Sequence, residues 1–236
     1  LFGPMAGPPT LRRPHQPMVF PVRAEHREEF RALMKHGFSQ GRRTVAFMHA
    51  DSDGGRQHLD NVKIIAAELG MSVTHALPFK SDINDEGIDA VVASLAKAQA
   101  DMLFNHGSAG IYQRVLAKAK AAGLRTALMG VNSGSSQIVT HLGELAHGMV
   151  FTQVVPSPWE RKHIISREYQ DTTRAATRAV PLSYGALEGF ATAKALAMAL
   201  KAGGRDLTRA RLLAALSNAQ FDLGGRNQRE AGGADA

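Results

Sequence analysis

Residues 49–58, HADSDGGRQH, contain three side chains that could bind a metal ion: His49, Asp51 and Asp53. A calcium loop of the EF-hand type requires a glutamate at its twelfth position, and the twelfth residue counted from Asp51 is Val62. The stretch also lacks the Gly-Lys-Ser/Thr of a Walker A loop and the GxGxxG of a dinucleotide-binding loop. The spacing therefore favours a turn that enters a helix, with its acidic residues near the positive helix end.

Two later stretches combine glycines with amides and hydroxyls: NHGSAG at 105–110 and GVNSGSS at 130–136. Backbone N–H groups at a helix start can hold a carboxylate, and Asn or Ser side chains can orient it. The same residue types also cap helices, so ligand binding and capping both stay open at this stage. Catalysis is not indicated, because GxSxG is absent and His106 alone makes no catalytic argument.

Between residues 44 and 155 the spacing of apolar residues switches repeatedly between that of a strand and that of a helix. This pattern predicts the elements that position these residues. Strands are predicted at 44–48, 72–77, 101–105, 125–130 and 147–155, with Pro78 ending the second of them. Helical apolar stripes lie between the strands, with Asn84 or Asp85 as an N-cap and Gly70 and Gly123 as ends. This order predicts an α/β fold with a doubly wound parallel sheet, in which ligands bind outside the carboxyl ends of the strands. Four loops qualify: 49–55, 78–83, 105–109 and 130–135.

From Pro156 onward the sequence predicts helices without further strands, at 157–174, 182–202 and 208–218, the last capped by Thr208. The apolar stripes of these helices require a sheet to cover them, so exposed helix faces and association of the chain are expected. The polar residues 223–236 are predicted to form a disordered tail.

Composition excludes several classes of function. The net charge of +7 comes from scattered bases, and three Tyr and one Trp offer little for stacking on bases, so nucleic-acid binding is not expected. The absence of cysteine excludes disulfides and thiolate chemistry. No apolar run approaches the roughly 20 residues of a membrane span, so direct membrane insertion is not expected. Neither a cofactor nor a metal ion is predicted.

Several segments, taken in order, resemble the type I periplasmic substrate-binding proteins of ABC transporters, in the branched-chain amino acid (Leu/Ile/Val-binding) family. The resemblance runs from Leu1 to about Gly225, and QVVPSP followed by SY-x-x-LEGF is its most specific part. The segments are LFGPMAGPPTLR, MVFPVRAEHREE, ADSDGG, FTQVVPSPWE, SYGALEGFATAKALAMAL and FDLGG.

The resemblance implies two Rossmann-like lobes, joined by hinge strands, that close on a small ligand. It assigns residues 1–22 to a remnant of lobe one, 23–153 to lobe two and 154–222 to the helical part of lobe one. Hinge crossings are implied at Arg23 and at Val154, Val155 and Pro156. It also implies that the family's opening segment, with its signal peptide, and its final return to lobe two are missing, so that lobe one is incomplete.

Four positions depart from the family pattern. Gly54 occupies a place where the family commonly has an aromatic residue at the ligand cleft, and a second such place aligns near Ala109. The segment that commonly reads RASY reads RAEH here, which puts Glu25 and His26 at its variable places. With two apolar walls absent, the ligand is expected to differ from the usual amino acids.

The resemblance implies a non-enzymatic, periplasmic solute-binding component of an ABC importer, which binds a small polar organic solute and delivers it to a membrane permease. The alternative is a ligand-sensing regulator that uses the same fold to signal to a partner protein. Asp51 or Asp53 is expected to meet a ligand ammonium, and Asn105 and Ser108 to donate to anionic groups. The expected ligand-binding residues are Ser52, Asp53, Gly54, Asn105, His106, Ser108, Asn132 and Ser133.

Overall fold

The computed structural model describes residues 1–106, 109–131, 139–140, 142–177, 180–218 and 220–224. The described chain forms two compact units, which we call the sheet unit (residues 26–152) and the helical unit (residues 1–25 and 153 onward). Each unit is described by itself below.

The sheet unit consists of five parallel strands and helices on both faces, which confirms the predicted fold class. The strand order is β2-β1-β3-β4-β5. Its strands are β1 (Thr44–Ala50), β2 (Ser72–Phe79), β3 (Met102–His106), β4 (Ala127–Gly130) and β5 (Val150–Phe151). Its helices are α1 (His26–Ser39), α2 (Asp53–Glu68), α3 (Asp85–Ala98) and α4 (Ala109–Ala121), with a 3₁₀ turn at Gly143–Ala146.

Alternation along the strands separates two apolar cores. Because successive side chains of a strand point to opposite faces, Val45 and Phe47 meet one layer of helices and Ala46 and Met48 meet the other. The first face is covered by α1 and α2, and its fully buried members include Phe30, Leu33, Met34, Val62, Ile65, Met102 and Phe104. The second face is covered by α3 and α4, with Ile88, Leu95, Leu103, Val115 and Leu116.

Several predicted boundaries are wrong. Pro78 does not end β2 but lies within it, which is possible because β2 is the edge strand and needs no N–H from Pro78 on its open side. The strand predicted at 147–155 is only two residues long. The helix predicted from residue 157 begins at Ile164.

The helix α1 was not predicted, although it has a clear apolar stripe. Phe30, Leu33, Met34 and Gly37 are buried at the i, i+3, i+4, i+7 spacing of an amphipathic helix. Its place in the sheet unit matters for the site, because its first turn begins with His26.

The helical unit contains α5 (Ile164–Ala175), α6 (Tyr184–Gly203) and α7 (Arg209–Asn218) around a small core of Ile165, Tyr169, Leu187 and Ala191. No residue of α7 is buried. The predicted caps are present, since the hydroxyl of Thr208 accepts a hydrogen bond from the N–H of Arg211 at 3.2 Å.

Candidate functional site

The carboxyl ends of β1 and β3 form the centre of the candidate site. The chain leaves β1 through α2 to reach β2 on one side, and α3 returns it to β3 on the other side of β1. The strand order therefore reverses between β1 and β3, and such a switch point leaves a crevice where ligands bind in open α/β sheets. In the parallel register His49 lies opposite His106, so the ends of the two strands are level.

The turn between β1 and α2 has the form expected of a helix entry. Ser52 is the N-cap of α2, and its hydroxyl accepts a hydrogen bond from the N–H of Gly55 at 3.2 Å. Arg56 pairs with Asp51 at 3.0 Å and with Asp53 at 2.7 Å. Both carboxylates therefore already have a cationic partner, and Asp53 is fully exposed in the first turn of the helix.

The two glycines of this turn differ in their surroundings. A Cβ atom on Gly55 would overlap the carbonyl oxygen of Ala50, so only glycine fits there. Gly54 is exposed, and a Cβ atom on it would meet only the hydroxyl oxygen of Ser52, at 4.0 Å. A larger side chain at Gly54 is therefore compatible with the helix start.

Asn105 and His106, the last residues of β3, point to opposite faces of the sheet. Asn105 lies opposite Met48 and Gly130, on the α3–α4 side, and is only 7% exposed. Its side-chain oxygen Oδ1 is buried and has no hydrogen-bond partner in the described part of the chain. A buried acceptor without a donor costs about 1–3 kcal/mol, which a ligand donor would recover.

The remaining predicted site residues, Ser108, Asn132 and Ser133, lie outside the described residues. The strand β4 that precedes two of them ends at Gly130 in the predicted position, next to the end of β3. The structure thus brings the ends of β1, β3 and β4 to one edge of the sheet.

On the α1–α2 side of this edge, four histidines from four elements form a cluster that the sequence did not predict. We define the histidine cluster as His26 of α1, His49 of β1, His58 of α2 and His106 of β3. The ring centroids of His58 and His106 are 4.0 Å apart, those of His26 and His106 4.4 Å, and those of His26 and His58 5.6 Å. The ring of Phe30 closes the cluster from below, 5.5 Å from His58 and 5.7 Å from His106.

One carboxylate is bound to the cluster. Glu29 is 4% exposed, and its Oε2 lies 2.9 Å from Nδ1 of His26. Because a carboxylate can only accept, the Nδ1–H of His26 is the donor in this pair. The other oxygen of Glu29 accepts a hydrogen bond from the hydroxyl of Thr152 at 3.1 Å, which ties α1 to the residue that follows β5.

The surroundings of His58 change the pKa of its imidazole. Burial lowers the pKa of His58 from 6.5 to about 4, with smaller contributions from His26 and His49 in the same direction. Its Nδ1 atom is buried and has no hydrogen-bond partner among the described residues. His58 is therefore neutral at pH 7. The rings pack against each other, and no group of three or more His, Cys, Asp or Glu residues in the described ranges is arranged to hold a metal ion.

Sequence reasoning missed most of this cluster because it missed α1. It considered His49 as a metal ligand and His106 as an exposed ligand contact, whereas His49 is 3% exposed and stacks on Phe47. The buried stripe of α1, together with His58 on the inner side of α2 next to Val62, is the signal that could have located it.

A separate recess lies at the carboxyl end of β2. It has a volume of about 600 Å³ and is lined by the end of β2, the loop after it and the first half of α3, with Asp51 at the β1 end. Its lining is mainly apolar, with Lys80 and Asp82 as further charged members. This recess corresponds to the predicted loop 78–83.

The predicted hinge residues lie in the helical unit. Arg23 forms a buried ion pair with Glu188 of α6, in which Nη1 lies 2.9 Å and 2.7 Å from the two carboxylate oxygens. Val155 packs against the small core of this unit, and Val154 and Pro156 are half-buried beside it. The hinge role of these four residues stays a prediction.

The sequence profile of the family described as "Periplasmic binding protein" matches residues 2–234. The chain belongs to this family. The resemblance stated from the sequence is thereby confirmed, and so is the expectation of a binding protein that is not an enzyme. No curated protein sequence matches the chain significantly.

Solved structures of periplasmic binding proteins share this fold. The substrate-binding periplasmic protein of Ralstonia solanacearum has a TM-score of 0.80 at 23% identity, over 95% of this chain and 64% of that one. A possible leucine/isoleucine/valine-binding protein of Rhodopirellula baltica has a TM-score of 0.82 at 23% identity, over 95% of this chain and 62% of that one. The R. palustris solute-binding protein in complex with benzoate has a TM-score of 0.71 at 18% identity, over 92% of this chain and 59% of that one. The chain thus spans less than two thirds of the length of these binding proteins.

Helices of the described residues include none that is long and apolar enough to span a membrane.

Proposed function

We propose that this periplasmic binding protein is the extracytoplasmic solute-binding component of an ABC importer. It binds a small polar organic solute, an amino acid or an organic acid, at the carboxyl edge of the sheet unit, and two lobes close on the solute about the hinge. The observation that carries this proposal is the polar edge at the switch point between β1 and β3.

The chemistry of the edge supports a polar ligand. Among the described residues, the buried Oδ1 of Asn105 has no donor, and the hydroxyl of Ser52, which accepts from the N–H of Gly55, can donate its own proton to a ligand. Asp53, although paired with Arg56, is fully exposed and retains carboxylate lone pairs for a ligand ammonium. His106, Gly54, Ser108, Asn132 and Ser133 complete the proposed contacts.

The comparisons support the class of solute at a coarser level. One similar structure holds benzoate and another is described as a possible leucine/isoleucine/valine-binding protein, so both an organic acid and amino acids occur among them. The exposed Gly54 leaves this edge without a side chain where the family commonly has an aromatic ring, which favours a bulkier solute than leucine.

The proposed partner is the membrane permease of the importer, which receives the solute from the closed form, and the proposed location is the periplasm. Hinge closure is the usual way in which such two-lobed proteins present a ligand. A direct test is co-purification of the epitope-tagged protein, expressed from its own gene, with its permease in solute-supplied cells. Absence of the protein from the periplasmic fraction would contradict the location.

Solute binding is tested by isothermal titration of the chain with leucine, valine, benzoate and 4-methylpentanoate. The probe that binds is then titrated into a variant carrying Asp53→Ala and Asn105→Ala together, with Asp60→Ala, an exposed residue of α2, as the control. We expect the double variant to lose at least about tenfold in affinity, or about 1.4 kcal/mol, and the control to lose none. Equal affinity of the double variant and the control would contradict the assignment of the site.

A further inference from the structure

The histidine cluster gathers four of the ten histidines of the chain at one end of the sheet unit. Every member comes from a different element, so the cluster joins α1 and α2 to the ends of β1 and β3. The side chain of His26 is 13% exposed. His58 and His49 are buried. Rings in such contact can remain together only while most of them are neutral.

Protonation affects the folded and unfolded states differently. In the unfolded chain each histidine takes up a proton as the pH falls through about 6.5. In the folded chain His58 resists protonation because burial lowers its pKa to about 4. Between these two values the unfolded state binds more protons at this position, so acid favours unfolding and stability is regained as the pH rises.

Charged and titratable groups face the cluster from each element that packs against it. From α1, Glu29 faces His26 and is also bound by Thr152, and Arg27 of the same helix pairs with Glu68 of α2. From β3 the facing group is His106, whose ring lies 4.0 Å from that of His58, and from β1 it is His49, which contributes to the lowered pKa of His58. On α2 itself, Arg56 is held by Asp51 and Asp53. Glu29 is bound to His26, and a second proton among His26, His58 and His106 would face the first at ring distances of 4.0–5.6 Å.

We propose that the histidine cluster is a proton-operated latch of the candidate site: protons taken up as the pH falls below about 6.5 separate α1 and α2 from the ends of β1 and β3. Because these ends form the solute edge, acid releases the solute before the rest of the sheet unit unfolds. The release of the solute rests on the proposed solute-binding function, whereas the separation of the helices from the strand ends does not.

The latch is tested without any solute, by chemical unfolding of the full chain between pH 7.5 and about pH 4.5. For wild type we expect the unfolding constant to rise on acidification, with His58 alone contributing up to about tenfold per pH unit below about 6.5. In His58→Gln this contribution is lost, so the pH dependence becomes shallower by up to the same factor. The control is His147→Gln, which removes an exposed histidine outside the cluster and keeps the wild-type slope.

Two further measurements cover the case in which His58→Gln does not fold. His106→Gln removes the partner whose ring is 4.0 Å from His58 and is expected to flatten the slope as well. In wild type, the imidazole Cε1–H resonances in the proton NMR spectrum report protonation directly. We expect one of them to keep the chemical shift of a neutral ring down to about pH 5. In His106→Gln this resonance is expected to disappear or to shift. Wild-type slopes in both variants, or titration of all ten histidines near pH 6.5, would overturn the latch.

Solute release is measured separately, as the affinity for the probe identified by titration at pH 7.5 and at about pH 5.5. With the latch, affinity falls at least about tenfold in wild type and less in His58→Gln. If no probe binds at either pH while the unfolding slopes behave as expected, the proposed function fails and the latch stands. If a probe binds equally well at both pH values, the link between latch and solute is wrong.

Discussion

Arg23 and Glu188 form an ion pair that is almost completely buried, with side-chain exposures of 7% and 6%. One guanidinium nitrogen, Nη1, lies within 2.9 Å of both carboxylate oxygens. The pair joins the predicted hinge segment to α6 inside the helical unit, which otherwise has only a small apolar core. Because both charges are almost completely shielded from water, the energetic cost of burying each one depends on its contact with the other.

Removing Glu188 takes away the carboxylate whose two oxygens Nη1 of the buried Arg23 contacts. We expect Glu188→Ala to lower the free energy of unfolding by about 3–5 kcal/mol, measured by urea denaturation. The matched control is Arg161→Ala, which breaks the exposed pair with Asp171 and is expected to cost at most about 1 kcal/mol. Similar losses in the two variants would show that the buried pair has no special role.

The adjacent glycines of α2 give a second prediction. Gly55→Ala places a Cβ atom against the carbonyl oxygen of Ala50, so we expect a loss of several kcal/mol and a lower Tm. Gly54→Tyr meets open space, so we expect a Tm close to that of wild type and an altered preference among solutes. Thermal unfolding measures the first effect and titration with leucine and benzoate the second. A destabilised Gly54→Tyr would contradict the proposed room at the site.

A substitution at Asn105 tests whether this side chain contributes to solute binding or to the stability of the fold. Asn105→Leu removes a buried oxygen that has no partner among the described residues and keeps the branching of the side chain at Cγ, so we expect a change in stability within about 1 kcal/mol but a loss of at least about tenfold in solute affinity. The control is Tyr112→Phe on α4, which removes the hydrogen bond from the Tyr112 hydroxyl to the carbonyl of Met129 at 2.7 Å. That variant should lose about 1 kcal/mol of stability and no affinity. The opposite pattern would place Asn105 in the fold and not in the site.

Asp101 provides a pH-dependent prediction at the opposite end of the sheet. Its Oδ2 accepts hydrogen bonds from the N–H groups of Arg43 and Thr44 at 2.7 Å and 2.9 Å, and these bonds lower the pKa of Asp101. The carboxylate therefore stabilises the fold above the unfolded pKa of about 3.9, and this contribution is lost as the pH falls through the lower folded pKa. Asp101→Ala should lower the Tm at pH 7 and differ less from wild type near pH 3.

The control for this prediction is Asp60→Ala, since Asp60 is an exposed residue of α2. We expect its Tm to match that of wild type at both pH values. A Tm difference between Asp101→Ala and wild type that stays constant with pH would show that the side chain acts by shape and not by its charge.

Local features of the sheet unit could be predicted from the sequence because they depend on neighbouring residues. The switch of period between strand and helix gave the five parallel strands, and Asn84 caps α3 as predicted, accepting from the N–H of Gly87 at 2.9 Å. Pro78 was misinterpreted because the sequence does not show that β2 is an edge strand. The length of β5 was overestimated because apolar residues after it serve the helical unit, as Val155 does.

The sequence by itself determined the fold class, the positions of the candidate loops and, through its resemblance, the family. Only the tertiary structure decided that His26, His49, His58 and His106 meet, because they come from four elements whose common end is set by the parallel sheet. It also decided that Asp51 and Asp53 are engaged by Arg56, whereas the buried oxygen of Asn105 has no partner in the part of the chain that the structure describes. Such differences in burial and pairing arise from the packing of distant segments, which residue spacing along one chain does not record.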